Sequence, residues 1–289
     1  MKIIGTGLSG LVGSRVLELL SDTFDFESLS LEANVDIRDK KKVFSRIFQS
    51  DGEVVLHLAA MTDVDACERE KHLATKSQAW QVNVEGTANI VEACRSSGKR
   101  LIYISTDFVF PDREDPYSES DSPNPINFYG KTKYEGEKIV ASLNRKNYLI
   151  GRISFPYRVR FEPKLDVVRA ILAKLVRGEI VEAVEDQIIV PTFVDDIAQC
   201  LRMLINQRQS GIFHIVGSQA ISPFDLALHI AQIFHLDTNL VKPTLLKKYY
   251  SNGAKRPYKS VLKNDKIIAL GARLLPVDKG LAILYQNLI

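Results

Sequence analysis

The chain has 289 residues, 45% of them hydrophobic and 25% charged, with a formal net charge of +3, which is enough to bury one large core or a core with a smaller lobe packed on it. So small a charge, with its basic runs short and scattered at Lys40-Lys41-Lys42, Lys247-Lys248 and Lys255-Arg256, argues against a nucleic-acid partner. Three cysteines without a C-x-x-C pair argue against disulfides and structural zinc, no H-E-x-x-H spacing supports a catalytic metal, and no apolar run reaches about 18 residues, so a soluble cytoplasmic protein without a membrane partner is expected.

Lys2-Ile3-Ile4-Gly5 predicts a short strand, and Thr6 to Gly13 a glycine-rich turn opening a helix that runs through Leu20. Gly7, Gly10 and Gly13 allow a tight turn, close approach of a pyrophosphate to the backbone and close helix packing, with the helix N-terminus facing the phosphates. A second strand is expected within residues 24–29. An acidic residue after it would mark a ribose 2′-hydroxyl and a basic one a 2′-phosphate. Glu27 lies about twenty residues beyond Gly7, but Ser28 or Ser30 can equally end the strand, which leaves NADH and NADPH both open.

Val54 to Ala60 reads as a doubly covered parallel strand ending in small residues that admit a cofactor, with His57 packed inside it rather than catalytic. Helical periodicity over 80–93 carries Asn83. Leu101 to Asp107 reads as another buried strand whose polar end, Ser105-Thr106-Asp107, falls where open α/β sheets bind ligands. This alternation over the first 150 residues predicts an α/β fold with a doubly wound parallel sheet. Residues 111–125 form a polar, proline-rich loop suited to a lid.

Tyr129 and Lys133 stand four residues apart on the next predicted helix, so they share a face with Cβ atoms roughly 6 Å apart. An ammonium beside the phenol favours its ionised form, and the Tyr129 pKa is therefore expected to be lowered, giving a proton donor and acceptor. Residues 148–152 then read as a sixth strand, with helices at 166–177, 194–205 and 222–234 and a strand at 211–216 that can return to the sheet. The expected division is a dinucleotide-binding domain over 1–152, with that return strand, and a smaller C-terminal α/β lobe over 153–289.

Gly7-x-x-Gly10-x-x-Gly13, Ala59-Ala60, Asn83, Ser105-Thr106-Asp107 and Tyr129-x-x-x-Lys133 occur in the order seen in extended short-chain dehydrogenases/reductases. More narrowly, the chain resembles the dTDP-4-dehydrorhamnose reductase family. The likeness lies in Asp36-Ile37-Arg38-Asp39, residues 59–68, 105–110 and 129–137, Asp186-Gln187 with Pro191-Thr192, and Ala254-Lys255-Arg256-Pro257 with Ser260 and Leu262. It runs from end to end.

The resemblance implies a Rossmann domain with NADPH or NADH and a substrate lobe for a nucleotide-linked, dTDP-type 4-keto-6-deoxyhexose, and it leaves room for a homodimer. By that analogy Tyr129 donates a proton to the carbonyl oxygen at C4, Thr106 hydrogen-bonds that oxygen, and Lys133 holds the nicotinamide ribose and lowers the Tyr129 pKa. Cofactor contacts would come from Gly7, Leu8, Gly10, Leu11, Gly13, Asp36, Ile37, Leu58, Ala59, Ala60, Asn83, Tyr129 and Lys133. Asn83 would anchor a water or a backbone kink near the proton relay. On the sugar side stand Thr62, Val64, Asp107, Phe155 and Arg256, although Thr62 and Asp107 also read as turn caps and Val64 as core.

Three departures bear on the substrate. Phe155 follows Arg152-Ile153-Ser154 where a tryptophan is usual, Ile189 replaces a small residue, and residues 159–166 do not follow the usual pattern. Phe108 stands where a 4,6-dehydratase needs a glutamate, which argues against elimination. An epimerase on this scaffold remains open, as does a non-catalytic cofactor-binding module like the regulatory β subunit of methionine adenosyltransferase.

Overall fold

Short apolar strands separated by amphipathic helices build a parallel sheet in this protein, for which the computed structural model describes residues 1–288. In chain order come β1 (Lys2–Thr6), α1 (Leu11–Leu20), β2 (Asp25–Leu29), α2 (Lys40–Gln49), β3 (Val54–His57), α3 (Val64–Arg69), α4 (Gln78–Trp80), α5 (Thr87–Ser97), β4 (Arg100–Thr106), α6 (Phe128–Ala141) and β5 (Tyr148–Ile153). With β9 (Gly211–His214) the main sheet runs β2-β1-β3-β4-β5-β9, every pair parallel. The segment expected as a sixth strand, Tyr148 onward, is thus the fifth in the chain, and β9 is the sixth in the sheet.

Alternation along each strand sends neighbouring residues to opposite faces. Ile3, Leu56, Ile102, Leu149 and Phe213 face one helical layer. Ile4, Val55, Leu101, Tyr103 and Ile150 face the other. Both faces are covered, which is why these strands read as unbroken apolar runs.

The rest of the chain adds β6 (Pro156–Tyr157), α7 (Val167–Val176), β7 (Val181–Val184), β8 (Thr192–Phe193), α8 (Val194–Asn206), α9 (Pro223–Ile233), β10 (Val241–Thr244), α10 (Leu246–Tyr249), α11 (Asp265–Ile268) and α12 (Val277–Leu288). Strands β6 and β8 pair, as do β7 and β10. Ile171, Leu172, Leu226, Ile230, Leu281 and Leu284 form a second core among α7, α9 and α12. Ile189 belongs to it and is buried, so a large side chain fits there as packing. Helix α8 instead presents Val194, Ile197 and Leu201 to the core of the main sheet.

One expectation is refined here and one corrected. The helix foreseen over 80–93 is interrupted by a π-helical turn at Gln81–Gly86, a device that re-aims side chains at functional sites. The 111–125 loop is no free lid. Tyr117 N–H donates to Val261 O and its carbonyl accepts from Lys263 N–H, both at 2.8 Å, while Arg113 pairs with Asp121 at 2.9 Å.

Candidate active site

The carboxyl ends of β1, β3, β4 and β5 converge on one edge of the sheet. Gly7 takes φ +67°, and a Cβ there would stand 2.5 Å from Ala59 N. At Gly13 a Cβ would collide with the Gly7 carbonyl oxygen. Gly10 caps α1 without a side chain and donates its N–H to Gly7 O at 3.1 Å. These contacts draw α1, the turn and the Leu58-Ala59-Ala60 strand end into a backbone cradle whose helix N-terminus is free of side-chain caps. That is the arrangement a dinucleotide pyrophosphate requires. Leu8 is buried beneath the turn and Leu11 begins α1.

At the far end of the cradle, Asp36 is held bidentate by Arg38, which keeps its carboxyl below the usual range. Ile37 is buried against Gly86, and its carbonyl accepts from Asn89 Nδ2 at 2.9 Å. Glu27, the candidate ribose acid, sits mid-strand and accepts from Ser50 Oγ at 2.6 Å. The strand ends two residues later at Leu29, beside Ser30.

Asn127 caps α6 by accepting from Gly130 N–H at 2.8 Å. This aims the first turn of the helix, with Tyr129, at the end of β4. The Tyr129 ring lies edge-on to Phe108 with centroids 5.8 Å apart, and its hydroxyl is within hydrogen-bonding reach of the Thr106 hydroxyl. Lys133, one turn on, is buried; its Nζ donates to Ile104 O at 2.8 Å and lies 4.0 Å from the Tyr103 ring centroid. Burial pushes Lys133 down to about 7 despite the nearby Glu137 carboxylate.

The lowered Tyr129 pKa expected from the spacing is not what the structure gives. Burial raises it, the Thr106 hydrogen bond offsets part of this, and the Asp107 charge raises it again. The Lys133 ammonium donates instead to the Ile104 carbonyl. Tyr129 is consequently a phenol held protonated, an acid waiting for an acceptor.

Asn83 lies in the π-helical turn, where Oδ1 accepts from Met61 N–H at 2.8 Å and Nδ2 donates to Met61 O at 3.0 Å and to Thr132 Oγ1 at 2.9 Å. It clamps the β3 exit to α6. His57 is packed as foreseen, 2.7 Å from Thr6 Oγ1 and 3.1 Å from Thr87 Oγ1, and burial pushes it down to about 3.

Of the residues expected on the sugar side, Val64 packs with Met61, Phe108, Tyr129 and Phe155 in one apolar patch. Phe155 reaches it at φ +38°, a left-handed conformation rare for an aromatic residue, with its ring 6.1 Å from Phe108. Thr62 Oγ1 is 3.4 Å from Lys164 Nζ. Arg256 is held bidentate by Asp65 at 2.9 and 2.7 Å and lies 3.7 Å from the Tyr250 ring centroid. The Asp107 carboxylate is buried and engaged by the Thr106, Ser154 and Ser260 hydroxyls.

Sequence reasoning did not single out Lys164, Ser154, Asp65 or the Asp166–Arg169 pair. Asp166 is readable as a cap before the helical run, and it accepts from Arg169 N–H at 2.9 Å. Its buried carboxylate also holds Arg169 Nε at 2.7 Å, and this pair anchors the loop that carries Lys164 to Thr62. A cavity of about 810 Å³ is lined by Asp65, Tyr250 and Lys255 but not by Thr106, Tyr129 or Lys133. The chemistry belongs at the strand ends, where the proton-bearing groups converge. Among the described residues no group of three or more His, Cys, Asp or Glu side chains could hold a metal ion. No helix among them is long and apolar enough to cross a membrane.

The family described as the RmlD substrate binding domain matches residues 1–288. The dTDP-4-dehydrorhamnose reductase of Aggregatibacter actinomycetemcomitans is 32% identical over 279 residues, 92% of each chain. Methionine adenosyltransferase 2 subunit beta of Bos taurus is 29% identical over 93% of this chain and 82% of its own. Among solved structures, dTDP-4-dehydrorhamnose reductase of Bacillus anthracis in complex with NADP superposes with a TM-score of 0.89 at 29% identity, covering 99% of both chains.

Proposed function

This chain belongs to the RmlD substrate binding domain family, and from that premise we propose that it is a dTDP-4-dehydrorhamnose reductase, an NAD(P)H-dependent oxidoreductase acting on the C4 ketone of a dTDP-linked sugar. The observation that carries the reading is a buried, protonated Tyr129 beside Thr106, with Lys133 one turn on, at the strand edge next to a glycine cradle. Gly7, Gly10, Leu11, Asp36, Ile37 and Ala59 would hold NAD(P)H, which would supply hydride to C4. Everything else falls to side chains of the protein.

Tyr129 donates its proton to the carbonyl oxygen as negative charge develops there. Thr106 shares that oxygen through its hydroxyl. Lys133, already stripped of water and held at the Ile104 carbonyl, would hold the ribose hydroxyls of the bound cofactor, and its positive charge would support the phenolate that Tyr129 becomes. The patch of Val64, Phe108 and Phe155 covers the sugar and keeps water from the exchange. Thr62 with Lys164, and Arg256 braced by Asp65, form the polar side of the substrate cleft. The lobes divide near residue 152, and three buried free cysteines suit a reducing cytoplasm.

The relationship to methionine adenosyltransferase 2 subunit beta makes a cofactor-binding partner subunit the second reading. Retention of Thr106, Tyr129 and Lys133 favours catalysis. The test is oxidation of NADH and NADPH with dTDP-4-dehydrorhamnose. Turnover is expected; cofactor binding with no oxidation on any dTDP-linked 4-keto sugar would overturn the reductase reading.

A further inference from the structure

Asp107 stands next to a reacting group yet has no step of its own in this scheme. Three parts of the chain bring hydroxyls to it. Thr106 Oγ1 donates to Oδ1 at 3.1 Å, and Ser154 Oγ, just past β5, donates to Oδ2 at 3.0 Å. Ser260 Oγ donates to Oδ2 at 3.4 Å from the segment between α10 and α11. The ionisable side chain facing Asp107 from α6 is Tyr129, which stays protonated; the groups facing it from the other elements are these three hydroxyls. Burial pushes the carboxyl up to about 6 although the hydroxyls pull it down.

Thr106 has one hydroxyl hydrogen to give. Its oxygen already accepts from Phe108 N–H at 3.2 Å and is within reach of the Tyr129 hydroxyl. The hydrogen can point to Asp107 or to a ketone oxygen, but not to both. An ionised carboxylate only accepts, so it claims that hydrogen. A protonated carboxyl can donate instead and releases it.

We propose that Asp107 is a positioning residue that sets the direction of the Thr106 hydroxyl, and so decides whether Thr106 can donate to the ketone oxygen. The inference rests on the reductase reading. Reduction is favoured while Asp107 is protonated, and declines as rising pH lets the carboxylate take the Thr106 hydrogen.

The test is the pH profile of kcat for native protein and for Asp107→Asn, whose amide is of similar shape and does not titrate. Native kcat is expected to fall by up to roughly tenfold per pH unit above the carboxyl midpoint, and the Asn variant to lack this fall and keep only the later loss that follows as Lys133, pushed down to about 7, gives up its proton. Ser260→Ala, which removes a donor that favours the ionised form, should move the native fall to higher pH. An Asn variant that keeps the native fall overturns the proposal. So does a Ser260→Ala profile superimposable on the native one. Independently of any sugar, the buried Thr106 hydroxyl proton followed by NMR should shift with pH in the native protein and stay still in the Asn variant. A titrating signal in a protein that reduces no keto-sugar would sink the reductase reading and leave the hydroxyl switch standing; a signal that ignores pH in the native protein would sink the switch.

Discussion

Replacing Lys133 with methionine should stabilise the protein while it destroys turnover. The native ammonium is buried, and its fall from 10.5 to about 7 corresponds to on the order of 5 kcal/mol at about 1.4 kcal/mol per pH unit. Methionine fills a similar volume without a charge. Loss of the hydrogen bond to Ile104 O costs about 1 kcal/mol, and loss of the contact with the Tyr103 ring about another. The net gain is therefore about 2–3 kcal/mol at pH 6. The sign follows from proton counting: between about 7 and 10.5 the unfolded chain holds a proton that the folded Lys133 has lost, so native stability rises with pH across that window. The advantage of the variant should accordingly shrink above pH 7, vanish at about pH 9 and reverse by about 10.5, where native protein is ahead by about 2 kcal/mol. Cys67, Cys94 and Cys200, which burial pushes up to about 12, titrate alike in both proteins and cancel in the difference. Urea unfolding of both proteins across this range, with NAD(P)H oxidation measured in parallel, checks the argument. A variant less stable than native at pH 6, by an amount that does not change with pH, would refute it.

Tyr129→Phe removes the proton donor and little else, so kcat should fall by about 10²–10⁴ while cofactor affinity measured by fluorescence titration is kept. Gly13→Ala places a methyl group against the Gly7 carbonyl oxygen; the cradle must open, and NAD(P)H binding should weaken at least roughly tenfold, an effect of the size a displaced backbone contact gives. Arg152 is bidentate to Glu137 at 2.9 and 2.7 Å with both side chains buried. Arg152→Met alone should cost about 3–5 kcal/mol in unfolding free energy, and adding Glu137→Gln should restore most of it. His57 and His214 are pushed down to about 3 by burial, so the unfolded chain takes up their protons first and stability is lost as pH falls from about 6.5 towards 3. His57→Gln should show a shallower acid limb in urea midpoints than native protein, whatever its stability at pH 8.

The glycine turn, the strand ends and the Tyr129–Lys133 pair were legible because each depends on local spacing. A glycine at a fixed interval after a strand, an apolar run closing on small or hydroxyl residues, and an i, i+4 pair need no distant partner to be recognised. The segment over 80–93 is helical as read, but its π-helical turn was not legible, because such a turn leaves the apolar periodicity nearly intact; the partners that fix Asn83, Met61 and Thr132, come from other segments. The 111–125 loop reads as free by composition, but its backbone is paired with residues 261–263.

What the sequence determined by itself was therefore the doubly wound sheet and the identity of its proton-bearing groups, since hydrophobic period and helical spacing are properties of contiguous residues. The tertiary structure decided their electrostatics. Lys133 was expected to lower the Tyr129 pKa through one neighbouring charge; in the fold the ammonium is drawn to a strand carbonyl, and burial, a property of the whole assembly, outweighs the pair. Likewise Asp107 looks in sequence like a turn cap or a sugar ligand. It becomes a buried acceptor for three hydroxyls because β5 and the segment after α10, some 50 and 150 residues further along the chain, close over the end of β4.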